Sequence, residues 1–183
     1  MEQIKELTKQ LISNSFKELM QKYPFEKITI KMITDAAHII RPTFYNHFHD
    51  KYELVEWIFE DEIINKIRDD IKTGGLNVVK IMTSALAEDM DYYKKLFEVH
   101  GQNNFTEIFE DKFTELLFDV VKEMDLAFPE LGITKEEIAR FYAMQISAFV
   151  KFYIQSNGKM NMEKAEGLFA YFMTHSIIEM FIY

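Results

Sequence analysis

Two helix-start signals, at Pro42 and Asp50, lie so close together that they limit the helix between them to a short one. Proline favours the first position of a helix, because its missing N–H is not needed there and its fixed φ already fits. Asp50 and Glu53 form a D-x-x-E capping box, which predicts that the next helix starts there. The helix that begins at Pro42 therefore spans about two turns and ends near Phe48.

Apolar residues recur at three- and four-residue spacing along the rest of the chain, which is typical of helices. The first helix ends at Pro24, and a short helix over about 30–37 has Thr29 as its N-cap. Capping boxes and glycines divide the remainder into further predicted helices: Asp50 to Gly74, about 76–89, 90–99, 105–126, 134–157 and 162–182. Thr134 with Glu137 forms the capping box that starts the helix over 134–157. These signals predict an all-α fold of about nine helices and no strand.

The two short helices, joined by a four-residue turn and preceded by a longer helix, have the layout of a helix-turn-helix. In such a motif the second helix lies in the major groove of DNA. Phe44 and Phe48 are four residues apart, so we expect both to face inward against Ile33, Ala37 and Ile39. That orientation leaves a donor-rich set of side chains on or near the open face: Arg41, Thr43, Tyr45, Asn46 and His47, with Lys51 at the next helix start.

The charge of the chain is unevenly distributed along its length. The net charge is −9, which by itself argues against a nucleic-acid partner. However, residues 1–51 carry 8 Lys and Arg against 6 Asp and Glu, whereas residues 52–183 carry 13 against 24. This asymmetry fits a first part that approaches a polyanion, although two solvated surfaces of different composition would look the same.

A family resemblance covers the same stretch. "ITIKMITDAAHIIRPTFYNHFHDKYEL" resembles the DNA-binding signature of the TetR family of bacterial transcription regulators, and the register holds over 27 residues without a gap. The matching positions are Ile28, Thr29, Ile33, Ala37, Thr43, Tyr45, Phe48, Lys51 and Leu54. In addition, "TFYNHFHDKYELVEWIFEDE" resembles a TetR subgroup that includes regulators of dihydroxyacetone kinase operons in Gram-positive bacteria.

The resemblance implies a three-helix DNA-binding domain over residues 1–51 and a larger helical domain for effector binding and dimerisation over residues 52–183. The implied DNA-binding set is Thr29, Lys31, Arg41, Pro42, Thr43, Tyr45, Asn46, His47 and Lys51. Within it, phosphate contacts are implied for Lys31, Thr43, Tyr45 and Lys51, and positions nearest the bases for Arg41, Pro42 and His47. Arg41 could bond O6 and N7 of a guanine together.

Two residues depart from the family pattern. His38 stands where the family usually has glycine, at a turn position that favours positive φ. Ile40 stands where a polar residue often caps the recognition helix. We therefore expect the helix-turn-helix fold, with a turn that departs in sequence from the family pattern at these two positions.

The last two predicted helices are apolar on nearly all sides, which predicts homodimerisation through about 134–157 and 161–183. Family members of this kind respond to an effector, a small molecule or a protein, whose identity the sequence leaves open. Candidate pocket residues are Trp57, Tyr92, Tyr93, Phe97, His100, Phe113, Phe141, Tyr142, Gln145 and Phe149. Each of these could equally be an ordinary core residue, because aromatic residues at helical spacing usually pack together.

Several other functions have less support. The histidines lack the H-E-x-x-H spacing of a zinc site, so we predict no metal and no cofactor. There is no cysteine, no Gly-rich phosphate loop and no G-x-S-x-G motif, so an enzyme is not expected. The apolar C-terminal run contains His175 and Glu179 and is shorter than a membrane span, and we expect a cytoplasmic protein. A helical adaptor that binds protein rather than DNA remains open, as does the choice between repression and activation.

Overall fold

The computed structural model describes residues 2–75, 77–101, 104–125, 132–156 and 159–175, and within these ranges all regular structure is helical, as predicted. The elements are α1 (Glu2–Lys22), a 3-10 turn (Phe25–Lys27), α2 (Ile30–Ala36), α3 (Arg41–Tyr45), α4 (Lys51–Phe59), a π-helical segment (Glu60–Ile64), α5 (Asn65–Lys72), α6 (Val78–Glu88), α7 (Met90–Phe97), α8 (Phe105–Val121), α9 (Lys135–Gln155) and α10 (Met162–Thr174).

Most predicted helix boundaries agree with the structure to within a few residues. The single long helix expected after Asp50 is present, but it consists of α4, the π-helical segment and α5 in direct succession. The regular part of α3 ends at Tyr45, earlier than the predicted Phe48, and α8 ends at Val121 rather than at 126. The predicted stop at residues 157–158 and the last residues of the helix predicted to reach 182 lie outside the described residues.

The predicted capping residues act as caps. The Thr29 hydroxyl accepts the Met32 N–H at 3.2 Å. The Asp50 carboxylate accepts the N–H groups of residues 52 and 53, at 2.8 and 2.9 Å, and Glu53 in turn accepts the N–H of His49. Thr134 and Glu137 form a reciprocal capping box at the start of α9. Local sequence therefore determines where these three helices begin.

The described chain forms two compact units. The first contains the residues up to Glu62 together with Asp89–Phe109, and the second contains Ile63–Glu88 and the described residues from Glu110 onward. The predicted functional division between residues 51 and 52 concerns DNA and effector binding, and it stays a prediction.

In the first unit, α7 is fastened to α1. Phe16 of α1 lies edge-on to Tyr92 of α7, with ring centroids 6.2 Å apart. The Lys95 ammonium donates to the carbonyl oxygens of Met20 and Gln21 at 2.6 and 3.0 Å, at the C-terminal end of α1. These carbonyls have no partner within their own helix, so a lysine there satisfies them and complements the helix dipole.

An ionic cluster connects α1, the π-helical segment and the start of α7 within the same unit. The Lys17 ammonium pairs with the Glu62 carboxylate and, at 2.5 Å, with that of Asp89. The Tyr93 hydroxyl donates to Glu62 at 2.9 Å. Burial, together with the nearby Glu62 carboxylate, raises the pKa of Tyr92 and of Tyr93 well above the ordinary value, so both stay neutral.

In the second unit, α6 packs against both α5 and α10. The buried residues there include Met82, Leu86, Phe113, Leu116, Ala139, Ala143, Ile146 and Val150. The Phe149 and Phe169 rings of α9 and α10 lie edge to face, 5.0 Å apart. None of the helices in the described ranges is both long enough and apolar enough to cross a membrane.

Candidate nucleic-acid interface

The turn between α2 and α3 takes the left-handed conformation that the family pattern predicts. His38 has φ 53°, the only positive φ among the described non-glycine residues. The Ile39 N–H donates to the Thr34 carbonyl at 3.0 Å and closes the end of α2. Histidine therefore occupies a conformation that glycine adopts more easily, and the turn forms nonetheless.

Two phenylalanines hold α3 from behind, as the sequence predicts. Phe44 and Phe48 are fully buried, and their ring centroids are 5.7 Å apart. Phe48 also contacts the ring of Trp57 on α4, 5.8 Å away. Ile33 and Ala37 are buried on the facing helix, whereas Ile39 is only half-buried.

The outer face of α3 presents the polar side chains of the predicted DNA-binding set. Arg41, Pro42, Tyr45 and Asn46 are exposed, and Thr43 is half-buried. The Arg41 guanidinium makes no hydrogen bond or ion pair with any residue that the structure describes. The Tyr45 ring stands edge-on to Phe44, with its centroid 5.7 Å away, which directs it outward at 55% exposure.

The two lysines of the predicted set differ in their surroundings. Lys31 is exposed and pairs with Asp35 one turn along α2, at 2.5 Å. The Lys51 ammonium donates to the carbonyl oxygens of Phe25 and Ile28, at 2.8 and 3.0 Å, and lies 4.3 Å from the centroid of the Phe25 ring. Since an ammonium group has three N–H donors, one is left for a further acceptor.

Burial has the largest effect on the Lys51 ammonium and lowers its pKa below the ordinary value. The carboxylates of Glu26 and Asp50 oppose that shift. The group is therefore a partly desolvated structural cation, and its position is set by the 3-10 turn as well as by the start of α4.

Two lysines of α1, Lys5 and Lys9, act electrostatically on His47, and neither belongs to the predicted DNA-binding set. His47 is half-buried, and its pKa is lowered below 6.5, first by burial and then by the positive charges of Lys9 and Lys5 on α1. The Lys9 ammonium also lies 5.2 Å from the centroid of the Trp57 ring. Helical spacing was an available signal, because residues 5 and 9 continue the stripe of Ile12 and Phe16 beyond the core.

The predicted effector-pocket residues are divided between the two units. In the first unit, Tyr93 is buried, and its ring and that of Phe97 both contact Phe105, at 5.9 and 4.8 Å. Trp57 contacts Phe48, three residues beyond the end of α3, and His100 is exposed. Tyr92 is buried, and its hydroxyl has no hydrogen-bond partner among the described residues.

In the second unit, Phe113 is buried, Gln145 and Phe149 are half-buried, and Phe141 and Tyr142 are exposed. A groove of about 390 Å³ in this unit has none of the predicted residues in its wall. It is lined by Lys66, Asp70, Asn77, Lys80, Ile81, Ser84, Ala85 and Glu88. The pocket set therefore stays a prediction.

Comparison with known proteins identifies the family. Residues 17–58 match the family described as bacterial regulatory proteins, tetR family. The "HTH-type dhaKLM operon transcriptional activator DhaS" of Lactococcus lactis subsp. lactis (strain IL1403) is 31% identical over 150 residues, which cover 79% of this chain and 78% of that protein. The chain belongs to the TetR family. A solved structure named "Dihydroxyacetone kinase operon activator DhaS" is 32% identical, with a TM-score of 0.58, and the match covers 80% of this chain and 84% of that one.

These relatives confirm both the TetR resemblance and the resemblance to the subgroup of dihydroxyacetone kinase operon regulators. The TetR match begins within α1 and ends within α4, so it contains all of α2 and α3. Lys5 and Lys9 lie outside it. As a TetR-family member, the chain is a transcriptional regulator and not an enzyme, as predicted. In the described ranges, no group of three or more His, Asp or Glu side chains could hold a metal ion.

Proposed function

We propose that this TetR-family regulator acts as a homodimer that binds a pseudo-palindromic DNA operator through α3 and the residues that follow it to Phe48. An effector bound by residues 52–183 changes its affinity for that operator. The observation that carries the proposal is a short helix held from behind by Phe44 and Phe48. Its open face presents an exposed tyrosine and an arginine that has no partner among the described residues.

Each side chain of the open face has a role in the proposed complex. Arg41 bonds to O6 and N7 of a guanine, because its guanidinium is free to present two parallel N–H donors. Lys31, Thr43, Tyr45 and the remaining N–H of Lys51 contact phosphate oxygens, and Lys5 and Lys9 add positive charge near His47. Thr29 acts mainly by capping α2, since its hydroxyl already accepts a backbone N–H.

Exposed apolar side chains on α9 and α10 support dimerisation through these helices. The structure exposes Phe141 (63%), Tyr142 (45%), Met144 (50%), Phe152 (54%), Tyr171 (43%) and Phe172 (52%). A helix that buries one apolar face and exposes another gains from covering the second face. Two copies of a short reading helix would also contact more base pairs than one copy does.

The relatives named above suggest a target and an effector. They are named as activators of the dihydroxyacetone kinase operon, and we propose that this chain regulates such an operon in the cytoplasm. Its effector is then dihydroxyacetone or a partner protein that resembles a subunit of the kinase. An effector of either kind can shift DNA affinity by at most its differential affinity for the two conformations of the regulator.

Fluorescence anisotropy with duplexes selected from a random pool tests the proposal. We expect salt-sensitive binding that Arg41→Ala weakens by about 5- to 150-fold, the range for removing one bidentate base contact. Tyr45→Phe should weaken it less, because only a hydroxyl is removed. Arg68→Ala is the matched control, since Arg68 lies on α5 and donates to Asn65. Absence of salt-sensitive binding to any duplex would instead support a protein-binding adaptor.

A further inference from the structure

Ile40, the residue before Arg41, has an unusual environment for isoleucine. Its side chain is 69% exposed, as exposed as any large apolar residue in the described part of the chain. Its backbone, in contrast, is well defined: the residue is extended (φ −87°, ψ 153°), and its carbonyl accepts the Thr43 N–H at 3.0 Å. The side chain therefore projects into solvent from an extended backbone, one residue before Arg41.

Isoleucine is a poor choice here on structural grounds alone. It occupies the N-cap of α3, where Ser, Thr, Asp or Asn would accept a backbone N–H, and no such bond is formed. Thr29 and Asp50 form these bonds at the starts of α2 and α4. One residue thus both lacks the capping bond and exposes apolar surface. Departures of this kind from local rules are expected at functional or strained sites, and the ordinary φ and ψ of Ile40 show no backbone strain.

The position of Ile40 indicates what its side chain contacts. In a helix-turn-helix complex, the residues at the start of the recognition helix approach base edges in the major groove. The apolar group that a base presents there is the C5-methyl of thymine. We propose that Ile40 packs on the methyl group of a thymine in the operator half-site and so selects thymine at that base pair. This specificity role rests on the proposed function and adds to it an apolar contact beside Arg41.

Substitution in the DNA isolates that contact. In a half-site selected from a random pool, each thymine is replaced in turn by deoxyuridine, which keeps the hydrogen-bonding edge and lacks only the methyl group. With the wild-type protein, we expect one such replacement to weaken binding about fourfold per half-site, the effect of one buried methyl group. Ile40→Ser should bind the thymine and deoxyuridine duplexes equally at that position, and Ile40→Val should still prefer thymine.

Two controls separate base contact from a structural role. Ile4→Ser changes an equally exposed isoleucine on α1 and should keep the wild-type thymine preference. Ile40→Ser should melt at the wild-type temperature or above, because serine supplies the missing cap, whereas a packing role for Ile40 requires a lower melting temperature.

The outcomes that overturn the assignment are distinct from those that overturn DNA binding. If the wild type binds the selected duplex but tolerates deoxyuridine at every thymine, Ile40 does not read a methyl group. If Ile40→Ser keeps the full thymine preference, another residue reads it. If the wild type shows no salt-sensitive binding to any duplex, the proposed function itself fails.

Discussion

Lys51→Met removes an ammonium group that donates to the Phe25 and Ile28 carbonyls, and it keeps an unbranched apolar stem of similar size. Hydrogen bonds to a charged group contribute about 1.5–3 kcal/mol each. Lys51 is only half-buried, and the lowered pKa of its ammonium shows that desolvation offsets part of the gain, so we expect a net destabilisation of about 2 kcal/mol. For a chain of this length that corresponds to a fall of roughly 4–8 °C in the melting temperature, measured by circular dichroism.

Lys31→Met is the matched control, because it removes the same charge from an exposed lysine. Its pair with Asp35 is one turn apart on a solvated helix face and contributes about 0.5 kcal/mol or less. Both variants should reduce the slope of log Kd against log salt concentration, by about 0.9 for each DNA phosphate that the protein no longer neutralises. A melting temperature that is unchanged in Lys51→Met, or that falls equally in both variants, would refute the conclusion that the Lys51 hydrogen bonds stabilise the fold.

Further results are expected at three positions, Phe141, His47 and Gly75. Phe141→Glu places a charge in the proposed dimer interface of both copies and should raise the dimer dissociation constant by more than about 100-fold in analytical ultracentrifugation, so that a constant equal to that of the wild type contradicts that interface. Because the pKa of His47 is lowered by burial and two lysines, protonation favours the unfolded state, and stability should decrease as pH falls through 6.5. A nearby DNA phosphate would raise the His47 pKa again, so DNA affinity should increase as pH falls over the same range at constant ionic strength. His47→Gln should remove that increase. Gly75→Ala would put a Cβ 2.3 Å from Oδ1 of Asp70, whose pKa the Asn77 hydrogen bonds hold below the ordinary value. NMR titration should show that pKa returning upward in Gly75→Ala, and no change in Gly167→Ala, where the added Cβ meets nothing within 4 Å.

Helix starts could be predicted from the sequence because capping is a contact between residues two to four positions apart. Thr29, Asp50 and Thr134 all form the expected bonds. The π-helical segment over residues 60–64 could not be predicted in this way. A change from i→i+4 to i→i+5 hydrogen bonding depends on how the helix packs against its neighbours, and the apolar pattern on either side of it is continuous.

Helical spacing predicts which residues attach the candidate interface to the core, but it does not predict the contacts that support the interface. Phe44 and Phe48 are four residues apart, so one helical turn places both on the buried face. The Lys51 ammonium contacts the carbonyls of Phe25 and Ile28, which precede it in the chain by 26 and 23 positions. Phe25 begins the 3-10 turn, and Ile28 follows the last residue of that turn. Such a partner is decided by tertiary packing, and the same holds for the effect of Lys5 and Lys9 on His47.

The way in which α7 is fastened to α1 bears on how these proteins can be recombined. The buried face of α1 contacts Tyr92, and two carbonyls near its C-terminal end accept hydrogen bonds from Lys95, which lies 74 and 75 positions further along the chain. A graft of residues 1–51 onto another family member would carry the proposed DNA-binding surface but leave those partners of α1 behind. An exchange of DNA specificity between relatives should therefore transplant the surface of α3 alone, or transfer residues 89–109 together with residues 1–51.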